Sequence, residues 1–119
     1  MKLIYIASPY AGDIEQNTEF ARQACRYCIE QGHAPIAVHL LYPQILDDDI
    51  PEERSAGLCL GQRALEACDE MWVCGSRVST GMRLEMEHAR RNNIPIAYIG
   101  ASQIYEELEE PNCISTLTI

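Results

Sequence analysis

The sequence predicts a three-layer α/β sandwich, in which a four- to five-stranded parallel sheet lies between two layers of helices. Short apolar segments, typical of buried strands, alternate along the chain with longer amphipathic segments, typical of helices. Turns that contain glycine or proline separate many of these segments. A connection of helix length between successive strands requires parallel pairing and a right-handed crossover, which gives a Rossmann-like or flavodoxin-like arrangement.

The predicted elements follow one another in simple alternation. The apolar segments predict strands at residues 2–7, 34–38, 70–74 and 94–99, with a fifth strand or a loose tail at 113–119. The amphipathic segments predict helices at about 14–31, 50–67, 80–92 and 102–110. Asp13 with Gln16, and Asp49 with Glu52, have the spacing of helix N-caps.

Length and composition fit one domain. The chain has 119 residues, of which 47% are hydrophobic and 23% charged, and a chain of this length forms one core rather than two. We expect a single domain over residues 1–119, with its core in about 1–100 and a short acidic helix with a strand or tail in 101–119. Cys25 and Cys28 lie inside a predicted helix, so they are expected to be reduced core residues rather than a redox pair.

Charge and motifs limit the partners. The net charge of −9 repels a phosphate backbone, so nucleic acid is not an expected partner. No apolar run approaches the about 20 residues of a membrane span, and the first residues resemble a strand more than a leader, which predicts a cytoplasmic protein with no membrane partner. The sequence lacks the glycine-rich dinucleotide and P-loop patterns and zinc-site spacing, so we expect no cofactor and no metal.

The expected site lies where three predicted strands end. In a parallel sheet, ligands bind outside the carboxyl ends of the strands, and the loops there begin at Ser8, His39 and Gly75. The loop from Ser79 through Gly81 and Met82 opens a helix whose free N–H groups attract an anion. Glu85 lies one turn into that helix.

Each candidate residue has a structural alternative. Glu85 either serves chemistry in the crevice or only favours the helix dipole. Tyr10, with Pro9 and Gly12 in the first loop, either stacks on a ring or belongs to an ordinary turn. His39 either titrates near neutrality or satisfies a loop carbonyl. The acidic stretch that starts at Asp47 either binds a cation or forms a solvated loop with a helix cap.

Several segments resemble the nucleoside 2-deoxyribosyltransferase-like superfamily, which includes deoxynucleoside 5'-monophosphate N-glycosidases and small uncharacterised bacterial and phage domains. The resemblance spans Lys2 to about Tyr98, and its most informative block is the spacing of four residues. These are Ser79, Gly81, Glu85 and Ala89.

The resemblance implies an N-glycosidase or deoxyribosyltransferase that acts on a nucleoside or nucleoside 5'-monophosphate. It implies Glu85 as the nucleophile and a site lined by the first and third loops. The residues so assigned to substrate binding are Ser8, Pro9, Tyr10, Gly12, Ser79, Gly81 and Met82. It also implies a homo-oligomer, with which apolar side chains at Leu58, Leu60 and Met82 would be compatible.

One position departs from the family pattern. The family enzymes carry an aspartate that helps to protonate the leaving base, and the matching position here is at or near Gly61. A glycine cannot donate a proton, so His39, Asp47 or Asp48 would have to replace the acid. The alternative is a nucleotide-binding or sensing module without turnover.

Overall fold

The structure, a computed structural model, describes residues 1–109 and confirms the predicted α/β class with a four-stranded parallel sheet flanked by helices. The elements are β1 (Leu3–Ala7), α1 (Ile14–Glu30), β2 (Ala34–Ile36), α2 (Pro51–Glu66), β3 (Glu70–Cys74), α3 (Thr80–Arg91), β4 (Ile96–Ile99) and α4 (Ala101–Glu109). The strand or tail expected over 113–119 lies outside the described residues.

The sheet order is β2-β1-β3-β4, with every neighbouring pair parallel. The connection after β2 passes over β1 to reach β3, so the strand order reverses between β1 and β3. At such a reversal the loops that follow the two strands diverge and open a crevice at their carboxyl ends. Pro35 of β2 pairs with Ile4 of β1. A proline is tolerated at this position because β2 is an edge strand.

Alternation along the strands divides the core between two faces of the sheet. Tyr5 and Ala7 pack on the face covered by α2 and α3, where Leu65 and Met86 join them. The intervening strand residues pack on the face covered by α1 and α4. That second cluster includes Ile4, Ile6, Tyr27, Cys28, Trp72, Cys74 and Ile104. The α2/α3 face and the α1/α4 face are therefore separate environments.

The helix starts confirm one predicted cap and correct another. The Asp13 carboxylate accepts the Gln16 N–H at 3.1 Å, as predicted. The predicted Asp49 cap is wrong, because Ile50 occupies the N-cap position of α2 and makes no side-chain cap. The Asp49 N–H instead donates to the Asp47 carboxylate at 2.9 Å. This hydrogen bond forms a local turn before α2 and does not cap the helix.

The second strand is shorter than the sequence predicts. Hydrogen-bonded pairing ends at Ile36, and Val38–Leu40 form a 3₁₀ turn. The turn buries Val38 against the α2/α3 face. His39 consequently lies in a rigid turn directly after the strand rather than at the start of an open loop.

The predicted core role of the cysteines in α1 is confirmed for Cys28, which is fully buried beside Cys74. Burial raises the pKa of each of these two thiols to about 12, so they remain protonated and unreactive at neutral pH. No helix within residues 1–109 combines the length and apolarity required to cross a membrane.

Replacing Gly75 with alanine is expected to destabilise the fold by at least about 1 kcal/mol. Gly75 has a φ of 106°, and a Cβ atom there would lie 3.2 Å from the Phe20 ring. Urea unfolding measures the loss. Gly100→Ala is the matched control, since its Cβ would meet nothing closer than 4.0 Å. Equal stabilities of the two variants would contradict the expectation.

Candidate functional site

A hydrogen bond between Tyr5 and Glu85 forms the centre of the candidate site. Tyr5 lies on β1 with 1% of its surface exposed, and its hydroxyl donates to Glu85 Oε2. Glu85 lies in the second turn of α3, beside the face through which Met82 and Met86 enter the core. The bond therefore joins the central strand to α3 on the α2/α3 face.

Burial controls the ionisation of both partners. Burial raises the pKa of Glu85 to about 7, although the Tyr5 hydrogen bond favours the charged form and opposes this rise. The pKa of Tyr5 is raised far above its ordinary value by burial and by the Glu85 carboxylate. The carboxyl group is thus divided between its neutral and charged forms near neutral pH, while Tyr5 keeps its proton.

Gly61 of α2 lies beside the Tyr5 hydroxyl. It is buried, and a Cβ atom there would lie 3.6 Å from Tyr5 Oη and 3.8 Å from Val38 Cγ2. The position that departs from the family pattern therefore adjoins the Tyr5 hydroxyl. Helix α2 presents only backbone at this point.

His39 stacks on Tyr10 at the mouth of the crevice. The ring centroids lie 5.2 Å apart with an angle of 20° between the planes. Burial lowers the pKa of His39, and the Asp48 carboxylate partly opposes that shift. The imidazole is therefore mainly neutral at pH 7. The pair brings together residues of two loops that the sequence placed at the same edge of the sheet.

Asp47 has a structural role. Its side chain accepts the Asp49 N–H, and its own N–H donates to Glu53 at 3.2 Å. Asp48, rather than Asp47, is the carboxylate that acts on His39. The structure thus gives Asp47 local contacts within its own loop and the start of α2, and its assignment to catalysis stays a prediction.

Ser79 is the N-cap residue of α3. Ser79 Oγ accepts the Met82 N–H at 3.2 Å, and Met82 Sδ accepts the Ser79 N–H at 3.4 Å. The N–H groups of Thr80 and Gly81 find no acceptor in the described part of the chain, so they are free to meet an anion. Met82 itself is 1% exposed, and a subunit contact through its side chain is thereby excluded.

The remaining candidates in the first loop differ in burial and in surroundings. Ser8 is buried, and Gly12 is exposed with a φ of 101°. Pro9 lines a cavity of about 450 Å³ between the first loop, α1, the loop after β3 and α4. Phe20 and Tyr105 also line this cavity and belong to the α1/α4 side. The cavity and Glu85 therefore lie on different faces.

Tyr5 is a site residue that the sequence does not predict. An apolar strand with one tyrosine is typical of an ordinary core strand, and nothing in the spacing singles the residue out. The available signal was chemical, because a buried tyrosine hydroxyl requires a hydrogen-bond partner. That partner proved to be Glu85.

The contribution of Glu85 to the stability of the protein is expected to fall as pH rises from about 5 to 8. The pKa of Glu85 is raised in the folded state, so the folded protein binds the proton more tightly than the unfolded chain. The resulting stabilisation is present at low pH and is lost through about pH 7. Its size is at most on the order of 3 kcal/mol, since one pKa unit corresponds to about 1.4 kcal/mol.

Urea unfolding at several pH values measures this dependence. Glu85→Gln is expected to remove it, whereas Glu87→Gln, at an exposed position paired with Arg91, is expected to keep it. An identical pH dependence in wild type and Glu85→Gln would contradict the assignment.

Comparisons with known proteins agree with this architecture. The chain is similar in structure to a 2-deoxyribosyltransferase from the psychrotolerant bacterium Bacillus psychrosaccharolyticus, with a TM-score of 0.69 and 16% sequence identity over 82% of this chain and 72% of that chain. At this identity the likeness shows a shared fold. Comparison with curated protein sequences found no match. The model of a family described as a domain of unknown function (DUF7768) matches residues 2–99, and the chain belongs to that family.

Proposed function

We propose that this protein cleaves the N-glycosidic bond of a nucleoside or nucleoside 5'-monophosphate, as a member of the nucleoside 2-deoxyribosyltransferase-like superfamily, with Glu85 as nucleophile. The observation that carries the proposal is the Tyr5–Glu85 hydrogen bond beside the crevice between β1 and β3. The fold shared with a 2-deoxyribosyltransferase supports it. The proposed substrate is a small molecule, and the proposed reaction needs no cofactor.

The chemistry follows from a carboxylate beside an electron-poor carbon. Glu85 attacks the anomeric carbon as the bond to the base breaks, and a glycosyl ester forms. Water, or a second base, then attacks the same carbon and releases the carboxylate. The transition state for each step resembles an oxocarbenium ion, which a neighbouring negative charge stabilises.

Tyr5 positions the nucleophile. Its hydroxyl holds Glu85 Oε2, so the other carboxylate oxygen is the one available to the sugar. The same hydrogen bond stabilises the carboxylate when it leaves the ester in the second step. Tyr5 performs this role without transferring its own proton, because its pKa is raised.

The start of α3 is proposed to hold a 5'-phosphate. The Ser79 hydroxyl uses its oxygen to cap the helix and retains a proton for a ligand. The free N–H groups of Thr80 and Gly81 add two donors at the positive end of the helix dipole. Tyr10, stacked on His39, is proposed to contact the base.

Incubation with a panel of nucleosides and 5'-monophosphates tests the activity. Wild type is expected to release free base, and Glu85→Gln is expected to lose at least about a hundredfold in rate, because the amide is not a nucleophile. Chromatography of the products measures both rates. Glu87→Gln controls for changes to α3 as a whole. Base release at equal rates by wild type and Glu85→Gln would refute the proposal.

Ser79→Asp tests the phosphate site separately. Aspartate is a good N-cap, so the variant is expected to unfold at nearly the wild-type urea concentration. Its charge repels a phosphate, so KM for a 5'-monophosphate is expected to rise at least about tenfold, while KM for the matching nucleoside stays within about twofold. A parallel rise for both substrates would argue against a phosphate contact at this helix start.

A nucleotide-binding module without turnover is the second candidate, and Gly61 favours it. Gly61 adjoins the Tyr5 hydroxyl without a side chain, so this position of α2 offers no proton to a departing base. Calorimetry with the same panel distinguishes the two functions. Binding of a nucleotide without release of base from any substrate would support the module.

A further inference from the structure

The groups around Glu85 constrain the base that can leave. A neutral purine or pyrimidine departs as an anion unless an acid protonates it, and such an acid commonly accelerates the step by about 10²–10⁴-fold. A base that is positively charged in the intact substrate departs as a neutral molecule. It needs no proton from the protein.

The described side chains beside the nucleophile are poor proton donors at neutral pH. Tyr5 holds its proton strongly because burial and Glu85 raise its pKa. Cys68 and Tyr42 are the other ionisable groups that act on Tyr5, and burial raises the pKa of Cys68 to about 11. On α2, Gly61 adjoins the Tyr5 hydroxyl and has no side chain.

His39 is also a weak donor. Burial lowers its pKa, so the protonated imidazole that would act as the acid is a minor form at pH 7. Its ring is held flat against Tyr10 in the 3₁₀ turn after β2. Asp47 is engaged by the Asp49 N–H within its own loop.

The Asp48 carboxylate and the aromatic rings favour a planar cation, whereas burial at His39 opposes a positive charge. Tyr10 and His39 form a stacked aromatic pair between the first loop and the turn after β2. Asp48 places a negative charge within electrostatic range of that pair. An aromatic face with a nearby carboxylate attracts a positively charged ring, and the net charge of −9 favours the approach of cations in general.

We propose, resting on the function proposed above, that the preferred substrates are N-glycosides with a cationic base, such as pyridinium ribosides and N7-alkylated purine nucleosides. A Glu85 oxygen forms a bond to the anomeric carbon while the carbon–nitrogen bond breaks. The electron pair of that bond neutralises the cationic ring. Water then attacks the anomeric carbon, which releases the sugar and the carboxylate and gives one proton to solvent.

The test compares two substrates that differ by one methyl group and one charge: 7-methylguanosine 5'-monophosphate and guanosine 5'-monophosphate. Wild type is expected to favour the cationic member by at least about a hundredfold in kcat/KM, after subtraction of the uncatalysed rate. Nicotinamide mononucleotide is expected to react as well. Glu85→Gln is expected to abolish the enzymatic cleavage of both cationic substrates.

The outcomes distinguish the preference for cationic substrates from the N-glycosidase function itself. Glu85-dependent release of guanine at a rate near that of 7-methylguanine would overturn the cationic preference and leave the N-glycosidase function intact. Failure to release base from any substrate, cationic or neutral, would overturn both.

Gly61→Asp and Gly61→Asn provide a matched pair at a position next to the Tyr5 hydroxyl. A Cβ atom at this position makes only ordinary van der Waals contacts, and the two side chains are nearly isosteric. Aspartate supplies an acid, so Gly61→Asp is expected to accelerate guanine release. The ratio of kcat/KM for 7-methylguanosine 5'-monophosphate to that for guanosine 5'-monophosphate is then expected to fall at least about tenfold. Gly61→Asn is expected to keep the wild-type ratio of kcat/KM for these two substrates. Equal ratios in two folded variants would overturn the proposal.

Discussion

The hydrogen bond from Tyr5 to Glu85 is the interaction on which the candidate site depends. It crosses from β1 to α3 and gives the half-buried Glu85 carboxyl group one partner. Without that partner, the cost of desolvating this carboxyl group would rise by about 1–3 kcal/mol. Sheet order makes the bond possible, because β1 and β3 are neighbours and α3 follows β3.

The two faces of the sheet contain different groups. The α2/α3 face holds the Tyr5 hydroxyl with its partner Glu85, and the backbone of Gly61 beside them. The α1/α4 face holds a tightly packed cluster and a cavity that opens beside Pro9. A large cavity and a perturbed acid are commonly expected at one place, and here the sheet separates them.

The sequence predicted the architecture well because alternation, turn residues and apolar runs act locally. It predicted the Asp13 cap for the same reason. It failed where residues distant in sequence decide the outcome. Tyr5 and Glu85 are 80 positions apart, and no spacing rule connects them. The Asp49 cap failed because α2 begins one residue later, with Ile50 at the N-cap position. The roles of Glu85, His39 and the substrate-binding residues remain predictions.

The single tryptophan of the chain gives the molecule an internal optical reporter. Trp72 is 7% exposed on β3, donates its indole N–H to Glu70, and packs 5.9 Å from the Tyr27 ring. It faces α1 and α4, whereas Glu85 lies beyond the opposite face of the sheet. Its fluorescence consequently reports whether the sheet is folded. One layer of backbone separates the indole ring from an aromatic ligand bound beside Glu85.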